Sequence, residues 1–441
     1  MAWDVKKIRA RRAQRDKKSI MTDQSAIRPI SDDEYAAFRQ VQQHAFNTGP
    51  ARAANLPRVR RQFERDRSLA AFDPAQPTED GLVGTAGVYS LRMAVPGAML
   101  PVAGVTMVSV LPTHRRRGIL RALMLRQLAD IAERGEEPIA ALWASETPLY
   151  GRYGYGRASS HAFFRFGRGE GALQADAPAD PAITLRLAEP TDAVAELAKV
   201  YETVLPGQPG FFGRDADWWD RVLDDPEEER HGSSPLRCLL AEDGNGVRAY
   251  ALYRSTPRWE EGTFLPDSTL SLFELVAADP AGGAALWRDL LSRDLITELT
   301  ADLRPADDPL LYQLQDSRRA RPQLADNLWV RIIDLPTALA RRAYASSADV
   351  VLEVTDDLLP ANAGRWRLRA ALAGGGAECT RTDEPADIAL NVRELGAVYL
   401  GGTRLGSLAA AGLVSELRAG AVGALSAAMS WDPAPWCPRI F

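Results

Sequence analysis

The residues between 105 and 156 have the types and spacing to hold an anion beside candidate proton donors. His114, Arg115, Arg116 and Arg117 run directly into Gly118. Leu120, Leu123, Met124, Leu128 and Ile131 follow at three- and four-residue spacings, the period of an amphipathic helix. Val105 to Val110 reads as a strand, so the order is strand, tight cationic turn, helix N-terminus. Unpaired amides at a helix start carry partial positive charge, and flanking guanidiniums add to it, which suits a pyrophosphate. Arg115, Arg116 and the Gly118 amide are therefore anion-binding candidates, set against the plainer reading of a solvated charge cluster. Downstream, Tyr150, Tyr153 and Tyr155 punctuate a Gly-rich turn. A phenol with a pKa of ~10 is protonated at neutral pH and can serve as a general acid. The residues alone do not rank the three tyrosines, each of which can equally pack the turn.

The surrounding composition narrows the chemistry. Four histidines and the widely separated Cys238, Cys379 and Cys437 make no His-x-x-x-His or Cys-x-x-Cys pair, so no metal catalyst is expected. This cysteine usage fits a reducing cytoplasm. The N-terminal residues lack the apolar core of a secretion signal, and no apolar run approaches membrane-spanning length, so a cytoplasmic location is expected. With 441 residues, 46% hydrophobic and 25% charged, the chain is sized for about three domains, each able to bury a core. Residues 1–20 hold eight Lys/Arg against Asp4 and Asp16, so without this arm the formal charge goes from −5 to −11. An acidic body favours cationic small molecules over nucleic acid or anionic membrane. The arm, residues 1–24, reads as a disordered tail, or as residues ahead of a start at Met21.

The elements that position the turn follow in order. Ile27-Arg-Pro-Ile is a short strand, and Ser31-Asp-Asp-Glu34 is a capping box ahead of a helix through Tyr35, Phe38 and Val41 towards Phe46. A second helix is expected over Leu56 to Leu69, then a strand pair over Leu82 to Met93. After the cationic helix, Gly135 is a stop, Ile139 to Ala144 a buried strand, and Ala162 to Phe166 a last strand. This gives an α/β domain over residues 25–168, closed by a Gly, Ala, Asp and Pro linker from Gly167.

A second copy of the plan follows over residues 182–312. Leu185-Arg-Leu and Thr191-Asp192 repeat the opening, Ala249 to Arg254 parallels Gly87 to Arg92, and a helix at Ala284 to Leu291 follows the strand Leu270 to Val276. At the turn, however, Asp279-Pro-Ala-Gly-Gly283 replaces the arginines. A carboxylate there repels a pyrophosphate, so this copy is expected to be structural. A third, α+β region over residues 317–441 opens with strands at Leu328-Trp-Val-Arg-Ile-Ile, Val350 to Val354 and Trp366 to Arg369, and has helices at Leu395 to Leu400 and Ser407 to Leu417. It ends in the aromatic, proline-stiffened Trp431-Asp-Pro-Ala-Pro-Trp-Cys-Pro-Arg-Ile-Phe441.

The Arg115-Arg-Arg-Gly118 turn resembles the acyl-coenzyme A loop of the GCN5-related N-acetyltransferases (GNATs), although Leu120 stands where that family has a second Gly or Ala. Pro112 to Ala122, Ala144-Ser-Glu146 and Tyr150-Gly-Arg-Tyr-Gly-Tyr-Gly156 resemble more closely the enhanced intracellular survival (Eis) group. So do Asn327-Leu-Trp-Val-Arg-Ile, Leu395 to Gly402 and the C-terminal Phe. The resemblance implies tandem GNAT folds, the second degenerate, with a C-terminal sterol-carrier-protein-like domain, assembled as a homohexamer. It implies acetyl-CoA held by Val108, Ser109, Val110, Arg115, Arg116, Arg117, Gly118, Ile119, Leu120, Arg121, Ser145 and Glu146. Val108 and Val110 would grip the pantetheine by strand-like backbone bonds, though plain core packing also suits them. It makes Tyr150 the general acid and the α-carboxylate of Phe441 the base, a group whose low reference pKa lets it take an amine proton.

The implied reaction is acetyl transfer to a primary amine, either small-molecule or peptide. Phe46 matches an aromatic pocket residue of the aminoglycoside-acetylating members, but Thr48 stands where an Asp is expected and Ile440 replaces an acidic residue. Losing two carboxylates makes a lysine-like, peptide or natural-product amine comparable to a polycationic sugar. A catalytically silent acyl-CoA sensor and a lipid carrier acting through the third region are the alternatives.

Overall fold

In the computed structural model, which describes residues 27–49, 61–73, 81–372 and 376–441, the chain opens with β1 (Ile27–Pro29), α1 (Tyr35–Phe46) and β2 (Leu69–Phe72). Glu34 reaches back to the Ser31 amide (2.8 Å), the expected half of the capping box, and Tyr35, Phe38 and Val41 face inward. The helix expected over Leu56–Leu69 is not formed at its C-terminal end. Residues 50–60 lie outside the described residues, Arg65–Arg67 is one 3-10 turn, and Leu69 begins β2. Leucine favours helix locally, but Leu69 is buried and pairs with Pro29 of β1 and Ala86 of the next strand, and that tertiary pairing prevails.

The long hairpin β3 (Leu82–Val95) and β4 (Ala98–Val110) follows, then α2 (Ile119–Arg134), β5 (Ile139–Trp143), α3 (Thr147–Tyr150), β6 (Gly156–Arg157) and β7 (Ser160–Gly167). Gly135, at φ +67°, stops α2 as expected. The second copy comprises β8 (Thr184–Ala188), α4 (Val194–Val204), α5 (Ala216–Val222), β9 (Arg237–Asp243), β10 (Gly246–Thr256), β11 (Ser268–Ala277), α6 (Pro280–Ser292), β12 (Ile296–Pro305) and α7 (Leu310–Gln313). After β13 (Gln323–Asp326), β14 (Leu328–Ile332) and α8 (Leu335–Ala340) come β15 (Ala348–Thr355), β16 (Gly364–Ala370), β17 (Ala377–Arg381), β18 (Ile388–Asn391), α9 (Val392–Val398), α10 (Leu405–Ala410), β19 (Val414–Glu416) and α11 (Ala421–Met429). The helix expected over Ser407–Leu417 therefore ends early. Gly412, at φ +75°, turns the chain so that Val414–Glu416 pairs with β18.

The sheets run β1-β2-β3-β4-β5-β14-β6, β13-β7-β12-β11-β10-β9-β8 and β17-β16-β15-β18-β19. Three strands thus cross the boundaries drawn at residues 168 and 317, β13 among them, since it pairs with β7 in the second sheet. β7, read as the last strand of the first unit, lies in the second sheet, while β14, read as the opening of the third, fills the edge of β5 in the first. Leu328, Val330 and Ile332 are fully buried there, and a two-residue period alone does not say which sheet receives them. The strands cross at Ser159 and Asn327. The Asn327 amide donates to the Ser159 carbonyl (3.1 Å), and the Ser159 hydroxyl bonds the Asn327 side chain (3.1 Å).

The third sheet is seated on the first by close backbone contact. A Cβ at Gly156 would lie 2.0 Å from the Arg393 carbonyl oxygen, and one at Gly396 2.3 Å from that of Val330. Only glycine lets α9 approach so closely. Beside this contact Arg331 and Asp356 form a buried ion pair, one guanidinium nitrogen, Nη2, donating to both carboxylate oxygens (2.7 and 2.8 Å). One apolar core consequently joins Leu91, Val102 and Ile139 of the first sheet to Trp366, Leu395 and Leu425 of the third, with Phe441 inside it.

Candidate active site

The parallel ladder between β4 and β5 begins at Val102–Ile139 and ends at Gly104–Ala141, although β4 continues to Val110. The cause lies in β4 itself. Met107 adopts φ +54°, and the β3–β4 register slips between Thr85 and Gly87, a bulge that bends β4 away from β5. Val108 and Val110 sit beyond this parting. The Ser109 hydroxyl is buried against Thr85 (2.6 Å), its partner in the β3–β4 ladder, so Ser109 offers no side chain to a ligand. Ile119 likewise packs in the core near Gly84, which leaves its amide for binding, while Leu120 is half-buried.

At the turn, Arg116 (φ +64°) and Gly118 (φ +85°) both take the left-handed region, and Gly118 caps α2 without a side-chain partner for the first amides. Arg115, Arg116 and Arg117 are exposed, and Arg117 braces the turn through the Thr113 carbonyl (3.1 Å). Successive amides in such a turn, backed by a helix start and guanidiniums, form an anion-binding concavity. The second copy differs chemically. Asp279 accepts the Ala281 and Gly282 amides at 3.0 Å each and is gripped by Arg248 (2.8 Å twice), which holds its carboxyl below the usual range. The protein's own carboxylate thus occupies the place an incoming anion would need.

Tyr150 ends α3, buried in the same cluster as Leu142, with Val108 and Leu120 packed against it. Burial pushes its phenol up, partly offset by a hydrogen bond with the Ser145 side chain, and Glu146 and Tyr153 push it further. Tyr153 is also raised by burial, against the pull of Arg121 and Arg152. Tyr155 is fully enclosed, its hydroxyl has no partner among the described residues, and its ring meets Tyr150 edge-on (6.2 Å). Of the three, Tyr155 is therefore the packing residue. Ser145, Glu146 and Arg121 are exposed around α3 and α2.

The C-terminal tail reaches the same strand, β4. The Trp436 amide donates to the Pro209 carbonyl (2.9 Å), and its indole packs on Phe211 (5.0 Å). Asn327 then holds Cys437 from both sides: its Nδ2 donates to the Cys437 carbonyl (3.0 Å) and its Oδ1 accepts the Cys437 amide (3.2 Å). Four residues on, the buried Phe441 ring meets Phe212 edge-on (4.9 Å) and lies so near Gly104 that a Cβ there would be 3.3 Å away. Thr106 Oγ1 donates to a terminal oxygen of Phe441 (3.4 Å). The chain end therefore rests where β4 and β5 part.

Leu91, Phe212, Trp218, Arg439, Ile440 and Phe441 line a cleft at this point. Phe46 and Thr48, exposed at the end of α1, are not among its lining residues. Gly104, Thr106 and Arg439, and the clamping role of Asn327, carry no motif of their own in the sequence. The tight aromatic tail was the available signal for the last two.

Residues 26–158 and 210–332 each match an acetyltransferase (GNAT) domain family, and residues 335–438 match a sterol carrier protein domain. An uncharacterized N-acetyltransferase of Streptomyces coelicolor is 45% identical over 90% of this chain and 95% of its own. The N-acetyltransferase Eis of Mycobacterium bovis is 37% identical over 78% of this chain and 84% of its own. The crystal structure of Eis1 from Mycobacterium abscessus covers 94% of this chain and 100% of its own, with TM-score 0.76 and 35% identity.

Proposed function

Since this chain belongs to the Eis group of GCN5-related N-acetyltransferases, with two GNAT domains and a sterol-carrier-like domain, we propose that its first domain moves the acetyl group of acetyl-CoA to a primary amine. The acceptor lies in the cleft beside Phe441. Arg115, Arg116 and the amides at Gly118 and Ile119 fit a pyrophosphate, and the parted β4 offers strand edges to a pantetheine arm. When bound, acyl-CoA supplies an activated thioester carbonyl and a thiol leaving group. The Phe441 carboxylate takes the proton of the attacking amine, and the Tyr150 hydroxyl, kept protonated by burial, gives one to the departing thiolate.

The observation that carries this reading is the position of Phe441 against Gly104 and Thr106. A carboxylate delivered from the third domain to the parting of two first-domain strands has no use in packing. The cleft lining is apolar and cationic, and Ile440 is exposed there, which favours a lysine-like, peptide or natural-product amine over a polycationic aminoglycoside. The test is thiol release from acetyl-CoA across a panel of amines. Amine-dependent release supports the reading. Retained acetyl-CoA binding without release from any amine would establish a sensor, and a co-purifying lipid without release would establish a carrier.

A further inference from the structure

We propose that the cleft beside Phe441 takes a zwitterionic acceptor, an amine that carries a carboxylate on an aromatic or apolar skeleton, and that Arg439 reads the carboxylate. This rests on the acetyl-transfer reading of the same cleft. Its walls are Leu91 from β3, Phe212, Trp218 and Val222 from the second domain, and the Phe441 ring, which suit a flat or aliphatic skeleton rather than a sugar. Its charges decide the rest.

Two guanidiniums line the cleft, and they differ. Arg214 is held bidentate by Glu274 (2.8 and 2.6 Å), and Glu274 also accepts the Tyr250 hydroxyl (2.7 Å), so that carboxylate is committed. Arg439 donates to the Val222 carbonyl (3.3 Å) and forms no ion pair among the described residues. A guanidinium has five N–H donors in a fork matched to carboxylate geometry, and most of this fork is uncommitted. Burial lowers the Arg439 pKa, and the neighbouring Arg214, Arg221 and Arg254 lower it further against the pull of Glu274. Among the described residues, this half-buried cation has no ion-pair partner of its own.

The acids on the adjoining helix do not supply one. Asp217 and Asp220 of α5 are engaged by Arg61 (3.0 and 3.6 Å). Arg221, on that same helix, lies over the Trp218 ring (4.9 Å), so it adds a further cation behind the wall and no counter-charge. The terminal carboxylate is two residues along the chain from Arg439, yet no ion pair joins them. A cation and an anion two residues apart in the chain that form no ion pair with each other complement the two ends of an amino acid. Its ammonium meets the Phe441 carboxylate, where it is deprotonated for attack, and its carboxylate meets Arg439.

The test compares 4-(aminomethyl)benzoate with benzylamine, which share the ring and the nucleophilic amine. Binding to the CoA-loaded full-length protein is measured by calorimetry, and turnover by thiol release from acetyl-CoA. A charge-assisted bidentate contact predicts that the carboxylate lowers Kd and KM by about tenfold or more. Arg439→Gln should erase that ratio and Arg439→Lys should keep part of it. Equal affinity for the two probes on the unmodified protein, or a carboxylate preference that survives Arg439→Gln, overturns the proposal. The comparison on the unmodified protein decides even if the variant fails to fold. Arg439-dependent binding of the benzoate without thiol release from either probe would uphold this inference while refuting acetyl transfer.

Discussion

Asn327 ties the crossing of two sheets to the chain end, and Asn327→Leu loosens tail docking without touching the cofactor turn or Tyr150. Its side chain is fully buried, and it supplies both partners of the Cys437 backbone while accepting the Ser159 hydroxyl. Leucine has a similar volume and no polar atom, so the Cys437 amide and carbonyl would be left buried and unpaired. Each such group costs about 1–3 kcal/mol, so docking of the tail weakens by at least ~2 kcal/mol, or about 30-fold in its equilibrium. The anchor upstream, the Trp436 amide on Pro209, is untouched, so opening is confined to the last few residues. Carboxypeptidase release of Phe441 measures this directly, because cleavage tracks the open population when reclosing is fast. Release should accelerate about 30-fold, with kcat for acetyl transfer falling and KM for acetyl-CoA holding. Unmodified rates of release and turnover would refute the clamp.

Three further outcomes are expected. Arg116→Gly keeps the left-handed backbone at φ +64° and removes only the guanidinium, so KM for acetyl-CoA should rise by about tenfold with little change in kcat; unchanged cofactor kinetics would count against the loop. Burial raises the Tyr150 pKa above its ordinary ~10, so the acid stays protonated and kcat should show no falling limb up to about pH 9.5, while Tyr150→Phe loses roughly a hundredfold. A falling limb near pH 8 in the unmodified enzyme would exclude Tyr150 as the acid. Arg331→Met strands the buried Asp356 carboxylate and should destabilise the protein by about 3 kcal/mol in urea unfolding; a loss below about 1 kcal/mol would mean the pair contributes little.

The strand, turn and helix at Val105–Arg134 were legible because every signal there is local: β-type valines, a glycine at positive φ, then apolar spacing of three and four. The contrast at Asp279 was legible too, but its physical form was not. The sequence suggests repulsion of an anion, whereas the structure adds that the aspartate takes the helix amides for itself. The exchange of β7 and β14 between sheets was hidden, since alternation marks a strand without naming its neighbour, and β14 pairs with a strand almost two hundred residues earlier. The same holds for the tail: an aromatic, proline-rich end reads as something that packs, while its seat on Gly104 depends on three domains folding together. Leu69 misled for the converse reason: expected at the end of a helix, it is captured by two strands.

The account turns on the Phe441 carboxylate rather than on the Phe441 ring. Semisynthesis of the full chain with a C-terminal amide in place of that carboxylate keeps the ring, its contact with Phe212 and the bond from Thr106, and removes only the charge. With the amide, kcat for acetyl transfer should fall by about a hundredfold or more while acetyl-CoA binds as before. Full turnover from the amidated chain would contradict the carboxylate base and the proposed mechanism with it.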